Sequence, residues 1–292
     1  MYELPIAGQP VIAFAEECDQ GNLRPENQDS VLHARIALGE LLIVADGSGG
    51  YTGSEVASRL AVEHFYDYLA ALPNDYPAED ALREACAHAN ESILAVTNMP
   101  EFPSARLGTA VIVALLQEDA DVTHAWIGHL GDCRAYLFRA GRLHSLTTDH
   151  SAVQSMLKLG LIAPEEVHNH PDTSVLTRSL GVRSDVEIEI EQHPIGVGDT
   201  LLLCSDGLWG CVSEPELEKA VESSDVDDVA RNLLYLALSA GGHDNIGIEM
   251  ARVNAPPDRV PVKEHSRNEL KWVLLFFVVC LVAMLSFVYF FL

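Results

Sequence analysis

Two apolar runs in this sequence end in the same pair of residues. LLIVADGSGG (41–50) leads into Asp46-Gly47 and LLLCSDGLWG (201–210) into Asp206-Gly207, although the residues around the two copies do not match and no domain is duplicated. A carboxylate at a strand end is presented at a sheet edge, and a following glycine lets the backbone oxygen approach a ligand closely. Gly131-Asp132 in HLGDCRAY and Asp244-Asn245 in AGGHDNIGIEM stand at further strand boundaries. Any one of these reads equally as a turn, since turns collect Asp, Asn and Gly for backbone reasons. Together, at one edge of a sandwich, they would repel one another and stay protonated unless a cation lay between them. An all-oxygen ligand set without a His/Cys pattern favours Mg²⁺ or Mn²⁺ over zinc.

Near the start, DQGNLRPENQDS sets Arg24 and Asp29 five residues apart. A guanidinium there suits bidentate capture of a phosphate, and Asp29 suits the ordering of a water on a metal. The same stretch also reads as a surface loop. The six cysteines, Cys18, Cys86, Cys133, Cys204, Cys211 and Cys280, have no CxxC spacing and sit mostly in apolar segments. They read as free thiols of a reducing compartment. Cys204 follows three leucines, Cys133 has no Cys-x5-Arg loop, and Ser48 lacks a G-x-S-x-G elbow, so no side-chain nucleophile is expected.

The elements that must position these groups follow from periodicity. ALGELLIVAD, GTAVIVALL, VTHAWIGHL, CRAYLFRAGRLHSL and DTLLLCSD read as strands, and VEIEIEQ alternates Val186, Ile188 and Ile190 inward with glutamates outward. Helical stripes run through Val56, Leu60, Ala61, Phe65 and Leu69, and through Ala81, Leu82, Ala85, Ala89 and Ile93. A third helix is expected in VDDVARNLLYLALSA and a short one in SAVQSMLKLG. The crowded middle lacks the regular crossovers of a parallel α/β fold, so two antiparallel sheets covered by helices fit better.

With 43 Asp plus Glu against 18 Lys plus Arg, the net charge is -25. That excludes a nonspecific nucleic-acid surface and serves either solubility or a site partly neutralised by divalent cations. The N-terminal MYELPIAGQP lacks the pattern of a signal peptide, so the globular region is expected to stay in the cytoplasm. Trp272 to Leu292 carries no charged residue, and as a helix it would match the roughly 30 Å bilayer core. Arg259, Lys263, Arg267 and Lys271 precede it and would hold that side at the cytoplasmic face. The expected organisation is a globular domain over 1–253, a charged, Pro-containing tether over 254–271 and a single transmembrane anchor over 272–292 in the cell membrane.

The ordered set RPENQD, VADGSGG, LGTA, HLGDCRAY, TTDHS, LTRSLG, LLLCSDGLWG and GGHDN resembles the PP2C (PPM) family of metal-dependent protein serine/threonine phosphatases in its bacterial form, over roughly residues 10–252. The resemblance implies an α+β fold, a four-layer αββα sandwich, here followed by the single C-terminal transmembrane helix. It implies two Mn²⁺ or Mg²⁺ ions with a weaker third. Asp46 would bridge the first two, the Gly47 carbonyl would touch one of them, and Asp206 and Asp244 would bind the other. Asp29 would hold water on the metals, Arg24 the substrate phosphate, and Asp132 with Asp206 the third ion, with Gly108 and Thr109 in a supporting motif. The stretch from His150 to about Thr177 resembles the mobile flap that varies between members. Where animal members carry a histidine after the bridging Asp-Gly, this chain has Ser48, a poor proton donor. Where they carry an acid before the first Asp, it has Gln28.

The expected activity is hydrolysis of phosphoserine and phosphothreonine in proteins by a water held between two ions about 3.5–4 Å apart. Two other readings are a phosphoprotein-binding pseudophosphatase and a hydrolase of small phosphate esters. The acidic surface favours substrates with basic residues around the phosphosite, or encounters enforced by a shared membrane, such as a membrane-associated Ser/Thr kinase or its substrates.

Overall fold

The computed structural model describes residues 11–255, apart from 48–52, 98–106, 120–121 and 223–224. The expected anchor at 272–292 and all but the first residues of the tether lie outside the described residues. Among those described, no helix is long and apolar enough to cross a membrane.

Among the described residues ten strands form two five-stranded antiparallel sheets. One contains β2 (Asp29–Ile36), β3 (Gly39–Asp46), β4 (Ala110–Asp119), β5 (Val122–Leu130) and β8 (Glu189–Ile195), in the order β2-β3-β4-β5-β8. The other contains β1 (Val11–Asp19), β6 (Arg134–Arg139), β7 (Arg142–Ser145), β9 (Thr200–Cys204) and β10 (Ile246–Asn254), in the order β1-β10-β9-β6-β7. Helices α1 (Ser54–Ala70) and α2 (Ala78–Thr97) follow β3. Helix α3 (Ala152–Lys158) and a 3₁₀ turn (Pro164–Asn169) lie between β7 and β8. A single turn α4 (Asp206–Trp209), then α5 (Glu214–Val221) and α6 (Val226–Ser239), separate β9 from β10.

The unbroken apolar runs are explained by burial on both faces of each central strand. Leu41 and Ile43 pack with Phe65, Leu69, Leu82 and Ile93 of α1 and α2. Their neighbours Leu42 and Val44 turn the other way, onto Leu201, Leu203, Ala251 and Val253 of the second sheet. On that sheet's far face Leu202, Ile248 and Met250 meet Leu208, Leu217, Val229 and Leu233. Three apolar layers thus separate four structural ones, in the order helices, sheet, sheet, helices.

Three expectations are corrected in detail. The buried stripe of α1 is centred on Ala57, Ala61, Phe65 and Leu69 with Ser54 and Ser58, and leaves Val56 and Leu60 at its margin. The strand expected from Val186 begins at Glu189; Val186, Ile188 and Ile190 still pack towards the helices. The edge strands β1 and β2 and the short helix α5 were not among the expected elements. α5 carries its own start signal, the Glu216 carboxylate accepting both the Ser213 N–H and the Ser213 hydroxyl beside Pro215.

One core position is charged in composition. Glu249 on β10 is fully buried, neither of its carboxylate oxygens has a hydrogen-bond partner, and it sits opposite Glu16 in the β1–β10 register. Burial, with the Glu16 charge adding to it, pushes Glu249 up to about 9. An unfolded Glu titrates near about 4.3, so between these values the folded chain keeps a proton that the unfolded chain has released. Stability is therefore full below the lower value and falls as pH rises towards the upper one. Glu249→Gln should flatten this slope, raising the melting temperature at about pH 8.5 and changing it little at about pH 5. Parallel melting curves for both proteins across that range would contradict the assignment.

Candidate metal centre

The β2–β3 register sets Asp29 directly opposite Asp46, so both carboxyls rise from the same face at the same sheet edge. Gly47 continues the turn, its N–H donating to the Gln28 carbonyl at 3.0 Å. A Cβ on Gly47 would lie 2.8 Å from that carbonyl oxygen and closer still to the Ser54 carbonyl, so the residue must be glycine for the loop and α1 to approach. Thr109 fixes the Asp46 backbone from the next strand, its hydroxyl donating to the Asp46 carbonyl at 2.7 Å. Ser48 lies outside the described residues.

The second sheet brings its acids to the same edge. Asp206 opens α4 immediately after β9, and Asp244 immediately precedes β10. Between them Ser205 acts as a rivet. Its hydroxyl donates to Asp29 Oδ2 at 2.6 Å and accepts the Gly247 N–H at 2.8 Å, joining β2, β9 and β10 at one atom. Gly207 is required by contact: a Cβ there would stand 2.9 Å from the Asn245 carbonyl carbon and nearer to its oxygen.

Asn245 organises the Arg24 loop. Its Oδ1 accepts the Gln28 N–H at 2.9 Å, and its Nδ2 donates to the Gln20 and Glu26 carbonyls at 2.8 and 2.9 Å. Arg24, held at the rim with its side chain 42% exposed, donates to Asp244 Oδ2 at 2.5 Å.

Asp132 occupies the β5–β6 turn and is buried. Its carbonyl accepts the Trp209 indole N–H at 2.9 Å, which ties this turn to the α4 turn that carries Asp206. Arg134 lies over the Trp209 ring, 3.5 Å from its centroid, and makes a bidentate pair with Asp149 at 2.9 and 2.8 Å. The structure therefore gathers Arg24, Asp29, Asp46, Gly47, Asp132, Asp206 and Asp244 at one edge. Sequence reasoning had not singled out Ser205, the Asn245 amide, Trp209 or the Arg134–Asp149 pair as parts of it.

The electrostatics of this edge fit a divalent cation. Burial, and then the neighbouring carboxylates Asp206 and Asp244, raise Asp29 to about 8, against the opposing Ser205 hydrogen bond. Burial and then the Asp244 charge raise Asp206 to about 6. Asp46 and Asp132 are held well above the usual carboxylate range by burial first and the Asp206 charge second. The buried Asp206 Oδ1 has no hydrogen-bond partner. A hard cation relieves both the repulsion and the unmet acceptor.

A different grouping lies at the foot of the flap. Ligand atoms of His129, His150 and Glu189 fall within 4.8 Å of one another. The two imidazoles are stacked, with centroids 4.6 Å apart and planes 12° from parallel, so their in-plane lone pairs do not converge on one point. His150 Nδ1 accepts the Gly131 N–H at 3.3 Å, which leaves Nε2 protonated to donate to Glu189 Oε2 at 3.1 Å. Burial lowers the His150 pKa, which favours this neutral form. The trio is a structural clasp between the flap, β5 and β8.

Residues 24–235 match the family model described as Protein phosphatase 2C. The chain belongs to the protein phosphatase 2C family. It is 36% identical over 245 residues to the serine/threonine protein phosphatase PstP of Mycobacterium tuberculosis, covering 83% of this chain but 45% of that protein, so it spans about half of that relative's length. It is 34% identical over 241 residues to the serine/threonine phosphatase stp of Listeria welshimeri, covering 81% of this chain and 94% of that one. The solved catalytic domain of PstP in complex with two manganese ions superposes with a TM-score of 0.73 at 33% identity, covering 84% of this chain and all of that domain (100%).

Proposed function

We propose that this chain is a metal-dependent phosphatase that hydrolyses phosphoserine and phosphothreonine in proteins, using two Mn²⁺ or Mg²⁺ ions with a weaker third. The observation that carries the reading is the convergence of Asp29, Asp46, Asp132, Asp206 and Asp244 at one sheet edge, Asp29 and Asp132 buried and the others partly so. In this reading Asp46, the Gly47 carbonyl, Asp206 and Asp244 would hold the pair, and Asp132 with Asp206 would hold the third ion. When bound, such ions supply Lewis-acid chemistry for water attack on phosphorus and neutralise phosphoryl charge.

This chain's own residues do the rest. Asp29, fixed by the Ser205 hydroxyl, orients the attacking water and accepts its proton. Arg24, tethered by the Asn245-stapled loop to the rim, clamps the substrate's phosphoryl oxygens. No covalent phosphoenzyme is called for: burial pushes the Cys204 thiol up to about 12 and holds Cys133 well above its ordinary value, so neither is a thiolate nucleophile.

The location is part of the same proposal. The uncharged run at 272–292 and the cations before it support a membrane anchor with the catalytic domain at the cytoplasmic face, where a membrane-associated Ser/Thr kinase or its substrates are natural partners.

The full chain in detergent micelles should hydrolyse p-nitrophenyl phosphate and phosphothreonine peptides in Mn²⁺, stop in EDTA and recover on adding Mn²⁺ back. Equal rates with and without chelator would sink the reading, and peptide binding without turnover would make the chain a pseudophosphatase. Arg24→Ala should raise KM for phosphopeptide more than it lowers kcat, because it removes a clamp at the rim and no ion ligand.

A further inference from the structure

Beside the acidic edge a cavity of about 890 Å³ runs between the flap and the α4–α5 segment. Leu157 and Val167 line its flap side, Trp209, Val212 and Glu214 the other, and Asp206 stands at its inner end. The cavity is therefore continuous with the metal centre.

The charge in this cavity is one-sided. Arg134 also lines it, but its guanidinium is committed to Asp149 on two bonds and stacked on Trp209. Glu216 contributes charge while its Oε2 is occupied by the Ser213 N–H and hydroxyl. Glu214 is exposed, lines the cavity mouth on the side formed by α5, and has no ion-pair partner among the described residues. Apolar walls beneath an acidic lip suit a side chain with a long aliphatic stem and a cationic head.

We propose that this cleft is a substrate subsite. It seats the segment beside the phosphorylated residue and selects Lys or Arg close to it in sequence, with the stem along Leu157 and Trp209 and the head at Glu214. The inference rests on the phosphatase reading and deepens it, since it names the sequence class that the centre would act on.

The test uses the full chain with Mn²⁺ and fluorescein-labelled phosphothreonine peptides that carry Lys, Ala or Glu at the second and third positions on either side. Turnover gives kcat/KM, and anisotropy gives Kd independently of turnover. On one side of the phosphothreonine, Lys should be preferred over Ala by about fivefold, the scale of an exposed ion pair, and the preference should shrink with added salt. Glu214→Lys should reverse it in favour of Glu peptides, and Glu214→Gln should abolish it. Both should leave p-nitrophenyl phosphate turnover unchanged, because that substrate is too short to reach the lip. Unaltered preference in Glu214→Lys would overturn the subsite. Charge-dependent Kd with no turnover of any phosphate ester would instead sink the phosphatase reading and leave the subsite standing.

Discussion

Asp46→Asn should lower turnover of phosphopeptide and of p-nitrophenyl phosphate alike by more than about 10²-fold, the scale of losing a catalytic electrostatic group. The carboxyl is central to the acidic edge: it faces Asp29 across the β2–β3 pair, and Asp206 is its strongest charged neighbour. The amide keeps shape and size, and the Thr109 bond to the residue's carbonyl does not involve the side chain. Unfolding is therefore not the expected route to inactivity, and the melting temperature in EDTA should stay at or above that of the parent. Mn²⁺ titration should show weakened binding alongside the lost rate. A variant that turns over at nearly the parental rate would remove Asp46 from the ligand set.

Gly207→Ala should be strongly damaging for a single added methyl. The new carbon would press against the Asn245 carbonyl, backbone against backbone, with no side chain able to yield. Overpacking of this kind costs on the order of 3 kcal/mol, which lowers the melting temperature by roughly 6–12 °C in a domain of this size. Relief would push α4 away from the start of β10 and so separate Asp206 from Asp244. Metal affinity should fall with stability, unlike the Asp46→Asn case. A melting temperature within about 2 °C of the parent would show that the two segments are free to part.

The acids were legible in the sequence because each ends an apolar run, and strand-end position is a local property. The residues that aim them were not, because their partners are distant. Asn245 holds the Gln28 N–H across 217 positions, and Ser205 holds Asp29 across 176. Nothing near a serine or an asparagine in the chain announces such a bond. The central strands were plain because both of their faces are covered. β1 and β2 lie at sheet edges, where half-burial blurs the alternation; most of β1 is only partly buried. VEIEIEQ was misplaced because its inward residues keep their alternation before pairing with β5 begins at Glu189. α5 is too short for a stripe, and only its cap marked it.

The pairing of β1 with β10 runs over nine register positions, from Val11–Asn254 to Asp19–Ile246, and among the described residues β10 is the only strand that β1 pairs with. During synthesis β1 therefore waits for β10. Until β10 emerges, β1 is an unzipped edge, Asp244 and the Asn245 staple are missing, and the Arg24 loop has nothing to hold it. A nascent chain already displaying Asp29, Asp46 and Asp132 is still half a centre. Such long-range closure is slow and leaves edges open to wrong pairing. It also means that the acidic edge is completed in one step, when β10 pairs.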